Sequence, residues 1–292
     1  MVTQYLSEVR ELVKIKLAHS IGDSNPIEKS MLYSAVADSK MVRAGLIFAS
    51  SEINSTLKQD TIISLATSIE LMHTYSLIHD DLPCMDNDDI RRNQPSSHTK
   101  YGEANAVLSG DALQALSYEV ICNDMYLSDT YKIRAIKLLS KACGKNGMVL
   151  GQCLDVKNET KLTKIDQKTL DHIHELKTGR LIECSILFGQ INNDLSSDEL
   201  SSFKAFSKKL GLAFQIIDDI LDVTESSEVL GKNNNSDKKN NKVTYVSILG
   251  VEPSRARARK LIESSIVDLS RCNLRNFDRL VAIAYYLIER RK

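Results

Sequence analysis

The sequence predicts an all-α protein, a large single-domain helical bundle formed by residues 1–292. Three observations carry that expectation. Helical periodicity recurs over long stretches, and breakers are scarce, with four prolines that all fall at segment boundaries. The apolar fraction of 42% contains no Trp, so the core has to be assembled from Leu, Ile, Ala and Val, a composition that favours helices. The length exceeds that of a usual domain, but a helical bundle absorbs it around one core.

The elements follow in order. The opening MVTQYLSEVRELVKIKLAHS places Tyr5, Leu6, Val9, Leu12, Val13 and Leu17 at helical spacing with charges between them. It reads as a first helix and not as a secretory signal. Pro26 begins a second periodic segment near 27–51, and a third runs near 58–81. TIISLATSIEL within the third is rich in β-branched residues, yet it flows into MHTYSLIHDD without a turn signal, so it too is assigned to a helix. Further helices are expected near 103–126, 129–150, 166–190 and 196–224, then near 252–270 beside Pro253, and near 273–291. GKNNNSDKKNNK, residues 231–242, has almost no apolar content and is expected to be a mobile loop, either a solvated connector or a lid carrying lysines.

Composition excludes several classes. Lys plus Arg and Asp plus Glu balance at 38 each, so there is no net field to draw the chain to nucleic acid or to an acidic membrane surface. No apolar run reaches the roughly 18 residues of a membrane span. Six cysteines with no C-x-x-C pair read as reduced thiols, and a cytosolic protein is expected.

Two acidic motifs carry the chemistry. Asp80, Asp81, Asp86, Asp88 and Asp89 crowd into HDDLPCMDNDD directly after an apolar helix. Such mutual repulsion needs a counter-charge. Mg²⁺ supplies one, since it takes one or two carboxylates together with water and phosphate oxygens. Asp80 and Asp86 do not share a face of a regular helix, and Pro83 between them resolves this by ending it. In FQIIDDILDV, Asp218 and Asp222 stand at i and i+4 with Gln215 three residues earlier, a polar stripe among Phe214, Ile216, Ile217, Ile220, Leu221 and Val223. A buried carboxylate stripe should face a metal or a cation. Basic residues are spread between the motifs: Lys40, Arg43, Arg91, Arg92, Lys177, Lys232 and Lys242, with His73 on the acidic face of its helix, below Asp80. Singly each Lys or Arg reads as a solvated charge; together with two acidic motifs they read as a diphosphate site.

These residues fall into an ordered set: DSKMVRA (38–44), HTYSLIHDDLPCMDNDDIRR (73–92), YGEANAVLSGDAL (101–113), GQCLD (151–155), KTG (177–179), FQIIDDILD (214–222), GK (231–232) and K-x-TY (242–245). The sequence resembles the short-chain trans-prenyl diphosphate synthases over nearly its whole length, most of all the bacterial farnesyl diphosphate synthases. The resemblance implies the isoprenoid-synthase bundle with a central substrate cavity, and Mg²⁺, three ions per site, held by Asp80, Asp86 and Asp218 with Asp81, Asp219 and Asp222 in support. It implies that Lys177, Thr178 and Gln215 line the pocket of an allylic cation, with Asp219 counted among the catalytic residues. Arg91 would grip the allylic diphosphate, and Lys232 and Lys242 would bind substrate. Isopentenyl diphosphate would lie on Lys40, Arg43, His73 and Arg92. The family's usual GKRLRP reads SKMVRA at 39–44 here, which keeps Lys40 and Arg43 and is expected to weaken that site.

The substrates implied are isopentenyl, dimethylallyl and geranyl diphosphate, and the implied assembly is a homodimer. Ser76 and Tyr75 lie ~6 and ~7.5 Å below Asp80 along the helix. In the family a bulky residue there limits chain growth, so Tyr75 implies a fifteen-carbon product, farnesyl diphosphate, with geranylgeranyl diphosphate the alternative suggested by LPCMDNDD. A terpene cyclase would not need Lys40, Arg43, His73 and Arg92, and a non-catalytic synthase subunit would be expected to lose acidic ligands that are complete here. A di-metal oxidase would need paired Glu-x-x-His motifs, so His172, His174 and Glu175 are expected at the surface.

Overall fold

The computed structural model of the chain describes residues 2–159, 165–225, 242–272 and 274–290. Among these, the helices are α1 (Val2–Ile21), α2 (Pro26–Ala35), α3 (Val42–Ser51), α4 (Gln59–Asp80), the short α5 (Ser97–Tyr101), α6 (Glu103–Cys122), α7 (Asp129–Cys143) and α8 (Met148–Glu159). There follow α9 (Gln167–His174), a π-helical turn (Glu175–Gly179), α10 (Arg180–Phe188), α11 (Ser197–Thr224), α12 (Tyr245–Leu249), α13 (Val251–Ser270) and α14 (Asp278–Glu289). The expected all-α bundle is what forms. Its small sheet component is a ladder of two-residue strands, β1 (Ile90–Arg91) and β2 (Gln94–Pro95). The expected loop at 231–242, with Lys232, lies outside the described residues apart from Lys242.

Local chemistry sets the boundaries. Asn25 caps α2 by accepting from the Ile27 and Glu28 amides at 3.0 Å, and Pro26 fills the first helical position, where no amide donor is needed. Ser196 and Glu199 form a reciprocal capping box at the start of α11. Gly250, at φ +85°, makes the sharp turn from α12 into α13.

Three expected helices are interrupted. The segment near 27–51 divides after Ala35, because Asp38 and Ser39 favour local backbone bonding over helix and Met41 takes a left-handed conformation at φ 44°. The segment near 129–150 breaks across Gly144 and Gly147, and that near 166–190 loosens into the π turn. The final helix begins at Asp278 rather than near 273.

The core has two lobes. One gathers α1, α2, α4, α6 and α7 around Leu17, Leu65, Ile69, Met72 and Leu113. The other gathers α3, α10, α11, α13 and α14 around Leu46, Phe203, Phe206, Leu210 and Ile283. Gly45 permits α1 to lie against α3, since a Cβ there would stand 2.3 Å from Leu6 Cδ2. No helix among the described residues is long and apolar enough to cross a membrane, and all six cysteines are free thiols.

Candidate active site

Between the lobes lies a cavity of about 1310 Å³, open at one side. α4 ends on its rim. Asp80 is the last helical residue; Pro83 prevents continuation, and the chain doubles back so that the Asp86 amide donates to the Asp80 carbonyl at 2.8 Å. Both carboxylates therefore line the cavity although six residues separate them. Burial, reinforced by Asp86 and opposed by Lys177, pushes the Asp80 carboxyl up to about 6.

Asp81 points elsewhere. It is buried and bonds Arg91, whose Nε donates to both carboxylate oxygens at 3.0 and 3.2 Å and whose Nη2 also donates to it. Asp88 lies 3.4 Å from the same guanidinium. Arg91 itself reaches the cavity, but Asp81 does not: it lines a separate, water-sized void with Tyr33, Thr74 and Gln94. In this geometry the Asp81 carboxylate, expected among the metal ligands, is turned to Arg91 and away from the cavity.

On the opposite wall α11 brings Gln215, Asp218 and Asp219 to the cavity. The operative i,i+4 pair is Gln215 and Asp219: the amide Nε2 donates to Asp219 Oδ1 at 3.1 Å, and Thr178 Oγ1 donates to Gln215 Oε1 at 3.0 Å. Asp219 also accepts from the Tyr245 amide at 2.8 Å. Asp222 is buried and is not among the cavity-lining residues, so the expected stripe from Asp218 to Asp222 does not face the cavity as a unit.

Lys177 and Thr178 project from the π turn. Its extra residue per turn shifts the helix register, an arrangement frequent at functional sites. α8 supports this turn closely: a Cβ on Gly151 would lie 2.3 Å from the Lys177 amide nitrogen. Four residues further along the same motif, one turn on, Asp155 accepts from Lys177 Nζ at 2.8 Å. Burial alone would lower the Lys177 ammonium, but Asp155 and Asp80 outweigh it and hold it above its ordinary value.

The basic side of the cavity is built on the α2–α3 break and the hairpin. Lys40, Arg43, His73 and Arg92 all line it, as do Tyr75 and Ser76 deeper on α4. Arg92 sits in the two-residue turn with Asn93, both at positive φ (56° and 62°), and donates to the Ser34 carbonyl at 3.2 Å. His73 does not add positive charge. Burial first, then Arg43, Arg92 and Arg91, hold its imidazole well below the ordinary value, so it is a neutral hydrogen-bonding group at pH 7.

Several participants come from parts of the sequence assigned no such role. Arg290, near the end of α14, bonds Asp218 and lies 4.3 Å over the Phe214 ring. By contrast Lys242, an expected substrate-binding residue, donates to Asp86 at 3.0 Å. Glu70, one turn below His73, accepts from the Ala44 amide at 3.1 Å and lies under Arg43. His174 is buried at the cavity wall against Tyr245, correcting its expected surface position; His172 is exposed and Glu175 is partly buried in ion pairs with Arg180 and Lys208. Burial, helped by Lys177 and Lys242 against Asp155, takes the His174 imidazole down to about 4.

Among the described residues, no three His, Cys, Asp or Glu side chains converge to enclose an ion without help. That donor set fits Mg²⁺, which dehydrates reluctantly and takes one or two carboxylates while water and phosphate oxygens complete its shell. Asp80 and Asp86 on one wall and Asp218 on the other could hold it.

The polyprenyl synthetase family profile matches residues 24–275. The chain belongs to that family. A farnesyl diphosphate synthase of Escherichia coli is 39% identical over 274 residues, covering 92% of this chain and 91% of the relative. The large subunit 1 of a heterodimeric geranylgeranyl pyrophosphate synthase of Arabidopsis thaliana is 38% identical over 292 residues, covering 98% and 78% respectively. Among solved polyprenyl synthetase structures, a geranyltransferase of Helicobacter pylori complexed with magnesium and isoprenyl diphosphate superposes with a TM-score of 0.86, at 33% identity, covering 99% of this chain and 98% of that one.

Proposed function

We propose that this prenyltransferase family member is a farnesyl diphosphate synthase, condensing isopentenyl diphosphate with dimethylallyl and then geranyl diphosphate, and that residues 1–292 act as one synthase domain. The observation that carries this reading is a single cavity with carboxylates on two facing walls, a cationic wall beside them, and a Tyr75 floor below Asp80. On this reading Asp80, Asp86 and Asp218 hold three Mg²⁺ ions, which supply positive charge against the negative charge developing on the departing diphosphate. Arg91, oriented by Asp81, grips the allylic diphosphate together with Lys242.

The C1–O bond breaks and its electron pair leaves on diphosphate. The resulting allylic cation faces the Thr178 and Gln215 oxygens, whose dipoles stabilise it, beside the Lys177 carbon stem. Isopentenyl diphosphate, on Lys40, Arg43 and Arg92 with neutral His73 as a hydrogen-bond partner, attacks through its double bond. The C2 proton passes to the released diphosphate.

Product length follows from Tyr75, buried on α4 and projecting into the cavity where the growing chain would descend. The test is incubation with Mg²⁺, isopentenyl diphosphate and either allylic starter, then separation of the dephosphorylated products. Farnesol is expected, and Tyr75→Ala is expected to move the main product to twenty carbons. Geranylgeraniol from the unaltered protein would sink the farnesyl assignment and leave the condensation standing.

We also propose a homodimer. Val107 and Leu108 on α6, Ile133 on α7 and Met125 and Tyr126 between them are exposed apolar side chains, an arrangement that supports a self-associating face. Light scattering should give twice the 32.7 kDa chain mass; a monomer at assay concentration would refute it.

A further inference from the structure

Tyr75 does not close the cavity floor unaided. Its ring meets the imidazole of His79, one turn along α4, edge to face, with centroids 5.1 Å apart and planes at 80°. His79 is held from across the helix interface. Its Nε2 donates to the Val107 carbonyl of α6 at 3.1 Å, and the ring sits in a notch left by Gly110, where a Cβ would lie 2.1 Å from Nε2 and 2.5 Å from Cδ2. On the other flank Gln114, one turn beyond Gly110, stands at the Tyr75 hydroxyl. Both rings line the cavity.

We infer that His79, seated in the Gly110 notch of α6, is a specificity-determining residue that fixes product length by holding the Tyr75 ring across the floor. The inference rests on the condensation and floor role proposed above. A helical Tyr has two accessible χ1 wells, and the space beside it decides between them. With the imidazole in place the α6 side is filled and the ring stays under the chain. With it removed, a ring-sized space opens between α4 and α6; Tyr75 can turn into it and the floor drops. A side chain at position 110 acts the opposite way, because it expels the imidazole from the notch towards Tyr75 and the cavity.

The experiment compares product ratios from purified full-length variants with Mg²⁺, isopentenyl diphosphate and either geranyl or dimethylallyl diphosphate. With geranyl diphosphate, His79→Ala is expected to raise the ratio of twenty- to fifteen-carbon product about tenfold, the discrimination a methylene-scale change in an apolar pocket carries. With dimethylallyl diphosphate, Gly110→Ala is expected to release more ten-carbon product. The double variant should match His79→Ala, since the added methyl then meets empty space; it also serves if Gly110→Ala alone folds poorly. A ratio within about twofold of wild type in His79→Ala, when Tyr75→Ala shifts it, overturns this inference and spares the floor reading. No shift in Tyr75→Ala removes the floor reading and this inference with it, and a wild-type protein that condenses nothing removes the proposed function as well.

Discussion

Replacing Asp80 by Asn is expected to abolish condensation and at the same time to stabilise the ligand-free protein. The kinetic effect should be at least on the order of 10³-fold in kcat, comparable with losing a preorganised group that meets developing charge. The stability effect has the opposite sign because Asp80 titrates at about 6 in the fold against an ordinary 3.8. A carboxyl whose folded value is raised favours folding when protonated, so its ionisation removes stability as pH rises from about 4 through 6. The shift corresponds to about 3 kcal/mol, all of it lost by pH 7.5. Asn carries no charge and escapes that loss, so the variant should melt about 5 °C higher at pH 7.5 and no higher at pH 4. Calorimetry at the two pH values beside a product assay separates the effects. Activity within tenfold of wild type would rule out Asp80 as a ligand for the diphosphate-bound cations.

Arg91→Ala should be among the most destabilising single changes in the molecule. Its guanidinium neutralises Asp81 and Asp88, both buried, and burial alone would lower its own value while Asp81 more than offsets this. Truncation leaves two carboxylates without their cation in a place water scarcely reaches, a loss of about 3–5 kcal/mol. Urea denaturation should show it as a shifted midpoint at unchanged slope. Asp81→Asn, which leaves the cation partly paired with Asp88, should cost clearly less. Equal losses in the two variants would mean that the pair acts as one structural unit and that Asp81 has no separate effect through Arg91.

Much of this was legible in the sequence because it is local. The six-residue gap from Asp80 to Asp86 with Pro83 inside it implied that the helix must stop, and the amide of Asp86 on the Asp80 carbonyl is the form the stop takes. The apolar setting of FQIIDDILDV placed Gln215, Asp218 and Asp219 on a buried helix. Which carboxylate pairs with Gln215 was a different matter: helical spacing grouped it with Asp218 and Asp222, whereas it bonds Asp219, and the Tyr245 amide that also engages Asp219 arrives from another helix. Arg290 is 72 residues from Asp218, and no period connects them. Asp155 stood in a recognised motif, but its bond to Lys177 depends on how α8 packs against the π turn. His174 was misplaced for the same reason: a polar run reads as exposed until the packing around it is known.

The π turn has an implication for the descent of the chain. Such turns carry one residue more than the α-helix around them, so Glu175–Gly179 amounts to an insertion preserved in backbone form. Deleting one residue there would yield an unbroken helix that is locally comfortable, and would swing everything before it by about 100° relative to everything after it. Leu170 and Ile173 would leave their buried seats, and Lys177 could no longer meet Asp155 while Thr178 met Gln215. One-residue length changes in this stretch are therefore far less available to descendants of this chain than substitutions.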